Sequence, residues 1–147
     1  MKVLVINGPN LNMLGVREKG IYGTKDFEDV CAYIKEEGQK RSIDIKLFQS
    51  NIEGEIINEI HKAYYEKYDG IIINPGAYTH YSYAIMDAIK AVNIKTVEVH
   101  LSNIHAREEF RHKSVIAQAC IGQICGFKEL GYVMAMEAIM KWTMENA

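Results

Sequence analysis

Short apolar runs alternate with helical patterns along the chain, and this alternation limits the possible folds more than any other feature of the sequence. Apolar or alternating runs of strand length occur at residues 2–6, 43–48, 70–73, 96–99 and 119–124. Helical periodicity occurs from residue 27, after a possible N-cap at Thr24, and again at 53–68, 81–92 and 129–144. Strands that alternate with helices predict a parallel sheet with helices on both faces.

The number of strands and the absence of a linker predict a single domain. The chain has 147 residues, two Pro and no Ser/Gly-rich or single-charge tract, so residues 1–147 are expected to form one catalytic domain. Five strands favour a flavodoxin-like α/β fold, a doubly wound parallel sheet in the order 2-1-3-4-5. In such sheets ligands bind beyond the carboxyl ends of the strands, where the strand order reverses.

The charge balance and the cysteine pattern argue against several classes of partner. Lys and Arg number 17 against 19 Asp and Glu, a net charge of -2, so no general positive field attracts nucleic acid or an anionic membrane. The first residues lack signal-peptide features, and no apolar run approaches the roughly 18 residues of a membrane span, so a cytoplasmic location is expected. Cys31, Cys120 and Cys125 lack CxxC spacing and are expected to be reduced thiols.

Polar segments follow the first, third and fourth predicted strands, which end near the expected switch point. They cover residues 7–10, 74–80 and 98–111. The first continues into a long Gly-containing loop at about 8–23, which is a candidate lid, with a plain surface loop as the alternative. The loop contains neither GxGxxG nor the P-loop pattern, so dinucleotide binding has no support there.

Charged side chains in the last of these segments are candidates for catalysis. Glu98 and His100 stand two residues apart at a strand end and share one face, so the carboxylate would favour a protonated imidazole that acts as a general acid. A hydrogen-bonded pair that caps the strand is the alternative. Arg107 and Arg111 have helical i, i+4 spacing and suit an anion clamp, although a solvated charged turn shows the same pattern.

The segment after the third strand offers further polar groups. Asn74 and His80 frame a Pro-Gly turn, where the backbone can approach a ligand closely. Thr79 could cap the helix that follows. Asp87 lies two turns on from His80, and on pattern alone it is a surface charge. No Lys follows the third or fourth strand closely, which argues against an imine mechanism.

Two other functions stay open on the residues alone. Metal-dependent hydrolysis could use His100, His105 and His112, although their spacing fits no familiar ligand pattern. A non-catalytic flavodoxin-like module could bind a nucleotide or flavin, but a receiver domain would need Asp at the end of the first strand, where this chain has Asn7.

Several segments resemble a known family. They read INGPNLN at 6–12, LG at 14–15, RE at 17–18, YG at 22–23, QSN at 49–51, NPGAYTH at 74–80 and EVHLSNIHAREEFR at 98–111. They stand in the family's order and extend over essentially the whole chain. The sequence therefore resembles the type II 3-dehydroquinate dehydratases, or type II dehydroquinases.

The resemblance implies a cofactor-free reaction of the shikimate pathway, in which 3-dehydroquinate loses water by anti elimination through an enolate. Tyr22 would be the base, acting as a phenolate, with Arg17 and Arg107 lowering its pKa. His100 would protonate the departing hydroxyl, with Glu98 orienting its ring.

The resemblance also implies binding residues and an assembly. Asn10 would stabilise the enolate through an ordered water. The substrate carboxylate would be held by Asn74, the backbone N–H of Leu101 and the Ser102 hydroxyl, and the ring hydroxyls by His80, Asp87 and Arg111. Asp87 would reach the site across a subunit contact, because the family forms trimers grouped into a dodecamer. Departures from the family pattern at Tyr81, Met86 and Lys128 affect the expected subunit packing, and Lys128 stands where Gly is common.

Overall fold

Five parallel strands form one sheet in the order β2-β1-β3-β4-β5. The computed structural model describes residues 1–16 and 24–145. The strands in this part of the chain are β1 (Lys2–Asn7), β2 (Asp44–Gln49), β3 (Gly70–Asn74), β4 (Lys95–His100) and β5 (Gly122–Cys125). The α-helices are α1 (Phe27–Lys40), α2 (Glu53–Tyr65), α3 (Tyr83–Val92) and α4 (Leu130–Glu145). The predicted flavodoxin-like order is confirmed.

The core lies on both faces of the sheet because successive strand residues point to opposite sides. On β1, Val3 and Val5 pack with residues of α1 and α4, whereas Leu4 and Ile6 pack with residues of α2 and α3. All four β1 side chains are fully buried. Burial on both faces explains why the inner strands read as continuous apolar runs.

The cap of one helix and the start of another differ from the sequence prediction. Helix α1 is capped by Asp26 rather than Thr24, because Asp26 and Asp29 form a reciprocal capping box. Helix α3 begins at Tyr83 rather than residue 81, and Ser82 Oγ accepts from the N–H of Ile85. The prediction that Thr79 caps this helix is therefore wrong.

The end of helix α2 and the start of strand β5 also differ from the sequence prediction. Helix α2 ends at Tyr65 instead of continuing to residue 68. The strand predicted at 119–124 is β5 at Gly122–Cys125, because Ala117–Ala119 form a 3-10 helix before it. Within the described ranges, no helix combines the length and apolar character that a membrane span needs.

Candidate active site

A polar pocket lies at the carboxyl ends of β1, β3 and β4, where the strand order reverses. The turns after these three strands build its wall. Its lining residues are Pro9, Asn10, Leu11, Asn74, Gly76, Ala77, His80, His100, Leu101, Ser102, Ile104, Arg107 and Arg111.

The backbone after β1 packs directly against the turn after β3. The N–H of Gly8 donates to the carbonyl of Asn74 at 2.7 Å. A Cβ added at Gly8 would stand 2.5 Å from the carbonyl oxygen of Pro75, which real Cβ atoms essentially never do. Gly76 has a φ of 58° and faces Pro9 across the same contact. Only a residue without a side chain permits the approach at Gly8.

Asn10 enters the pocket from a left-handed backbone conformation. Its φ is 67°, which Asn adopts more readily than most residues. The N–H of Asn10 donates to Oδ1 of Asn51 at 2.9 Å, and Nε2 of Gln49 donates to the same oxygen at 3.1 Å. The turn that presents Asn10 is thus held by the loop after β2.

Glu98 and His100 form a buried pair at the end of β4, as their two-residue spacing predicts. Nε2 of His100 lies 2.5 Å from Oε1 of Glu98, and the two residues are 6% and 0% exposed. An ionised carboxylate only accepts hydrogen bonds, so Nε2 carries a hydrogen and Nδ1 is left for a ligand. The ring of His100 lines the pocket, whereas Glu98 is fully buried beside it.

Hydrogen bonding keeps Glu98 ionised in spite of its burial. Burial acts to raise its pKa, but donors from His100, Thr79 and Ser114, together with the charge of His100, outweigh it and lower the pKa of Glu98. The pKa of His80 is lowered mainly by burial, and nearby His100 and Arg111 act in the same direction. Nδ1 of His80 lies 2.8 Å from the carbonyl oxygen of Lys113.

Arg107 and Arg111 supply positive charge to the pocket from two separate 3-10 turns. The segment is not one helical turn, as their i, i+4 spacing would allow, because Arg107 follows the 3-10 helix Ile104–Ala106 in extended conformation and Arg111 ends a second one, Glu109–Arg111. Their side chains are only 11% and 24% exposed, which does not fit a freely solvated turn. Glu108 lies between them and accepts from Arg111 Nε at 2.8 Å.

A buried tyrosine joins two strand ends below the pocket. Tyr132 on α4 is 1% exposed, and its hydroxyl donates to Oδ1 of Asn7 at 2.5 Å. Nδ2 of Asn74 donates to the same hydroxyl at 3.3 Å, and Oδ1 of Asn74 accepts from the N–H of Gly76 at 3.2 Å. Asn74 is therefore held from both ends of its amide.

Most of the residues predicted from the sequence come together in this pocket. Asn10, Asn74, His80, His100, Leu101, Ser102, Arg107 and Arg111 line it, with Glu98 beside His100. Asp87 does not, because it is exposed on α3 in the single chain. Arg17 and Tyr22, and with them most of the second half of the candidate lid, lie outside the described residues.

The metal alternative gains no support from the described part of the chain. No group of three or more His, Cys, Asp or Glu there is placed to hold a metal ion. The rings of His105 and His112 are 6.0 Å apart, and Nε2 of His112 lies 2.9 Å from the carbonyl oxygen of Arg107.

The sequence did not predict the roles of three residues that support the site. Thr79 and Ser114 bond to Glu98, and Tyr132 bonds to Asn74. Thr79 stands inside the NPGAYTH segment, which was a usable signal. Ser114 and Tyr132 contact the site only through the tertiary fold, so their local sequence carries no signal.

Comparison with known proteins identifies the family. The model of the family described as dehydroquinase class II matches residues 1–140. The chain belongs to this family. The resemblance drawn from its sequence motifs is thereby confirmed.

Individual members are similar over nearly their whole length. A 3-dehydroquinate dehydratase of Clostridium beijerinckii is 75% identical over 139 residues, which is 95% of each chain. One from Caldicellulosiruptor bescii is 67% identical over 138 residues, covering 94% of this chain and 95% of the relative. The crystal structure of a type II dehydroquinase from Butyrivibrio crossotus has a TM-score of 0.93 at 54% identity, covering 95% of this chain and 97% of that one.

Proposed function

We propose that the chain catalyses the cofactor-free anti dehydration of 3-dehydroquinate to 3-dehydroshikimate, with Tyr22 as base and His100 as acid. Its membership of the family makes it a dehydroquinase, a hydro-lyase. The observation that carries the mechanism is the buried Glu98–His100 pair, whose imidazole lines a pocket that also contains two arginines.

The acid step follows from the hydrogen bond between His100 and Glu98. Because Nε2 is engaged by the carboxylate, a proton for the departing hydroxyl comes from Nδ1, which becomes available when the imidazole is doubly protonated. Glu98 fixes the ring orientation and balances the positive charge. A His held in this way needs no rotation between binding and proton transfer.

The base step uses the positive charge of the pocket. A free Tyr has a pKa of about 10, and one positive neighbour lowers an acid's pKa by about 1–3. Arg107, whose side chain is largely buried, and Arg17 on the lid loop are the proposed neighbours of Tyr22. Partial burial strengthens the effect of Arg107, because its charge is poorly screened by solvent.

Polar groups around the pocket suit the substrate. Asn74, the Leu101 N–H and Ser102 are proposed to hold its carboxylate, and Asn10 to stabilise the enolate oxygen through an ordered water. His80 and Arg111 are proposed to hold the ring hydroxyls. Asp87 is proposed to join them from a neighbouring subunit, in an assembly of trimers grouped into a dodecamer.

The test is turnover of 3-dehydroquinate, followed by the ultraviolet absorbance of the conjugated enone product. Tyr22→Phe and His100→Ala should each lower kcat by at least about 10²-fold. Borohydride added with substrate should leave activity intact, because no imine forms. No absorbance change at high enzyme concentration would refute the activity, and a near-normal kcat of Tyr22→Phe would refute the assigned base.

A further inference from the structure

Two hydroxyl groups hold the carboxylate that pairs with His100. We propose that Thr79 and Ser114 are positioning residues for the acid step, because their hydroxyls keep Glu98 ionised and turned towards Nε2 of His100. This inference rests on the proposed role of His100 as the acid. Neither residue lines the pocket, so neither touches the substrate.

Both hydroxyls lie within hydrogen-bond distance of Glu98, and Thr79 Oγ1 also lies 2.8 Å from Ser114 Oγ. Thr79 Oγ1 donates to Oε1, the same oxygen that faces His100. Ser114 Oγ lies 3.0 Å from Oε1 and 2.9 Å from Oε2, so it spans the carboxylate. The N–H of Ala117 donates to Ser114 Oγ at 3.0 Å and occupies a lone pair, so the hydroxyl hydrogen of Ser114 can be donated to Glu98 while its other lone pair accepts from Thr79.

The donors matter because Glu98 is 0% exposed. A buried carboxylate stays ionised only where hydrogen bonds and an opposite charge replace its lost hydration. His100 supplies one donor, and the two hydroxyls supply neutral donors that do not depend on the charge of His100. Without the two hydroxyls, burial would outweigh more of the remaining hydrogen bonding, so the pKa of Glu98 would rise and its protonated form would be favoured.

Protonation of Glu98 would change what His100 can do. A neutral carboxyl group would donate to Nε2 and hold the imidazole in its neutral form, with its hydrogen on Nδ1. A neutral imidazole is a far weaker acid than the imidazolium ion. The expected loss is therefore in kcat, while the contacts proposed to bind the substrate stay in place.

Apart from the Ala117 N–H, which donates to Ser114 Oγ, the backbone near the two hydroxyls is held by other bonds. The N–H of Val115 donates to the carbonyl of Thr79 at 2.8 Å, and the carbonyl of Lys113 lies 2.8 Å from Nδ1 of His80. These bonds join the segment of Ser114 to the turn after β3 without either side-chain oxygen. Loss of one hydroxyl should therefore leave the fold intact.

Other titratable groups lie near Glu98, and their contributions to the pH dependence must be distinguished from that of Glu98. Burial, followed by the charge of Glu98, raises the pKa of Cys120 to about 12 and that of Cys125 to about 11, so both thiols stay neutral near pH 7. His80 also interacts electrostatically with Glu98, and its pKa is lowered mainly by burial. His80 therefore also contributes to the acid limb of the pH profile. For this reason only the difference in pH profile between a variant and the parent reports on Glu98.

The experiment compares Thr79→Val and Ser114→Ala with the parent protein over a range of pH. The acid limb of kcat should move to higher pH by about one pH unit in each variant, which lowers kcat about tenfold on that limb, with KM within about twofold. Thr79→Ser and Ser114→Thr keep a hydroxyl and should restore the parent profile. Thr96→Val is the matched control. Thr96 is buried on the same strand as Glu98, but its hydroxyl donates to the carbonyl of Ile94 instead of to Glu98.

A second readout does not need activity. Carbon-13 NMR of the Glu98 carboxyl should show it protonating at higher pH in Thr79→Val and Ser114→Ala than in the parent. An unchanged titration and an unchanged kcat profile overturn the inference, and so does an equal change in Thr96→Val. If the parent turns over no 3-dehydroquinate but the carboxyl titration moves as expected, the proposed function fails while the holding of Glu98 by the two hydroxyls stands.

Discussion

Replacement of Tyr132 by Phe should weaken the fold and the substrate site together. The substitution removes one oxygen and keeps the ring, so it opens no large cavity. The lost hydroxyl bonds to Asn7 at 2.5 Å and to Asn74 at 3.3 Å. Asn7 is 1% exposed, and its Nδ2 already has no hydrogen-bond partner among the described residues, so the variant would leave the whole amide unsatisfied.

The size of the effect follows from these contacts. An unsatisfied buried acceptor costs about 1–3 kcal/mol, and the longer bond from Asn74 adds little, so the free energy of unfolding should fall by about 2 kcal/mol. At roughly 2–4 °C per kcal/mol for a chain of this size, Tm should fall by about 4–8 °C. Asn74 would lose one of its two anchors, which should raise KM by up to about fivefold with a smaller change in kcat.

The assay is thermal unfolding at equal protein concentrations, because assembly would add to the apparent stability. Tyr65→Phe is the control, since Tyr65 is 79% exposed and its replacement should leave Tm unchanged.

The effect should also depend on pH. Burial raises the pKa of Tyr132, so the neutral residue stabilises the fold below the unfolded-state pKa of about 10. That contribution to stability is lost as the pH rises further. The Tm difference between parent and Tyr132→Phe should therefore narrow above about pH 10. A Tm within about 1 °C of the control would refute the reasoning.

Three further changes test the backbone and the assembly. Gly8→Ala should lower kcat/KM by at least about tenfold, because the new Cβ would force Pro75 away from β1; unchanged kinetics would contradict the close approach. Lys128→Gly should raise stability by up to about 1 kcal/mol in urea unfolding, because Lys128 has a φ of 50°, and a loss of stability would contradict that strain. Asp87→Asn and Tyr22→Phe subunits, each expected to have low activity alone, should regain part of the activity when mixed if Asp87 serves a neighbour's site. No recovery in verified mixed oligomers would place its role within one chain.

The sheet could be predicted from the sequence because its inner strands are buried on both faces and read as apolar runs. The residue that caps the first helix could not, because Thr24 and Asp26 are both good caps and only the reciprocal bond with Asp29 decides between them. Thr79 shows the same limit. Its residue type suits a cap, but the tertiary structure places its hydroxyl against Glu98, and Ser82 caps the helix instead.

The site could be predicted where its functional side chains lie at the ends of strands. The pairing of Glu98 with His100 follows from two-residue spacing on one strand, and it is confirmed at 2.5 Å. Arg107 and Arg111 reach the pocket through two 3-10 turns that their i, i+4 spacing does not predict. Asp87 differs again, because spacing indicates a surface charge and its exposure in the single chain agrees, so only the family resemblance assigns it to the site.

The positive charge of the pocket depends on where its arginines lie rather than on the net charge of the chain. The whole chain carries a net charge of -2, yet Arg107 and Arg111 stand in the pocket with most of their surface covered. Charges held in this way are screened less by solvent than exposed ones, although Glu108 pairs with Arg111 at 2.8 Å and offsets part of its charge. Glu98 adds no repulsion at the lining, because it is fully buried and its charge is matched by His100 and the two hydroxyls. The hydrogen bonds that hold Glu98 against His100 therefore also keep its negative charge away from the lining of the pocket.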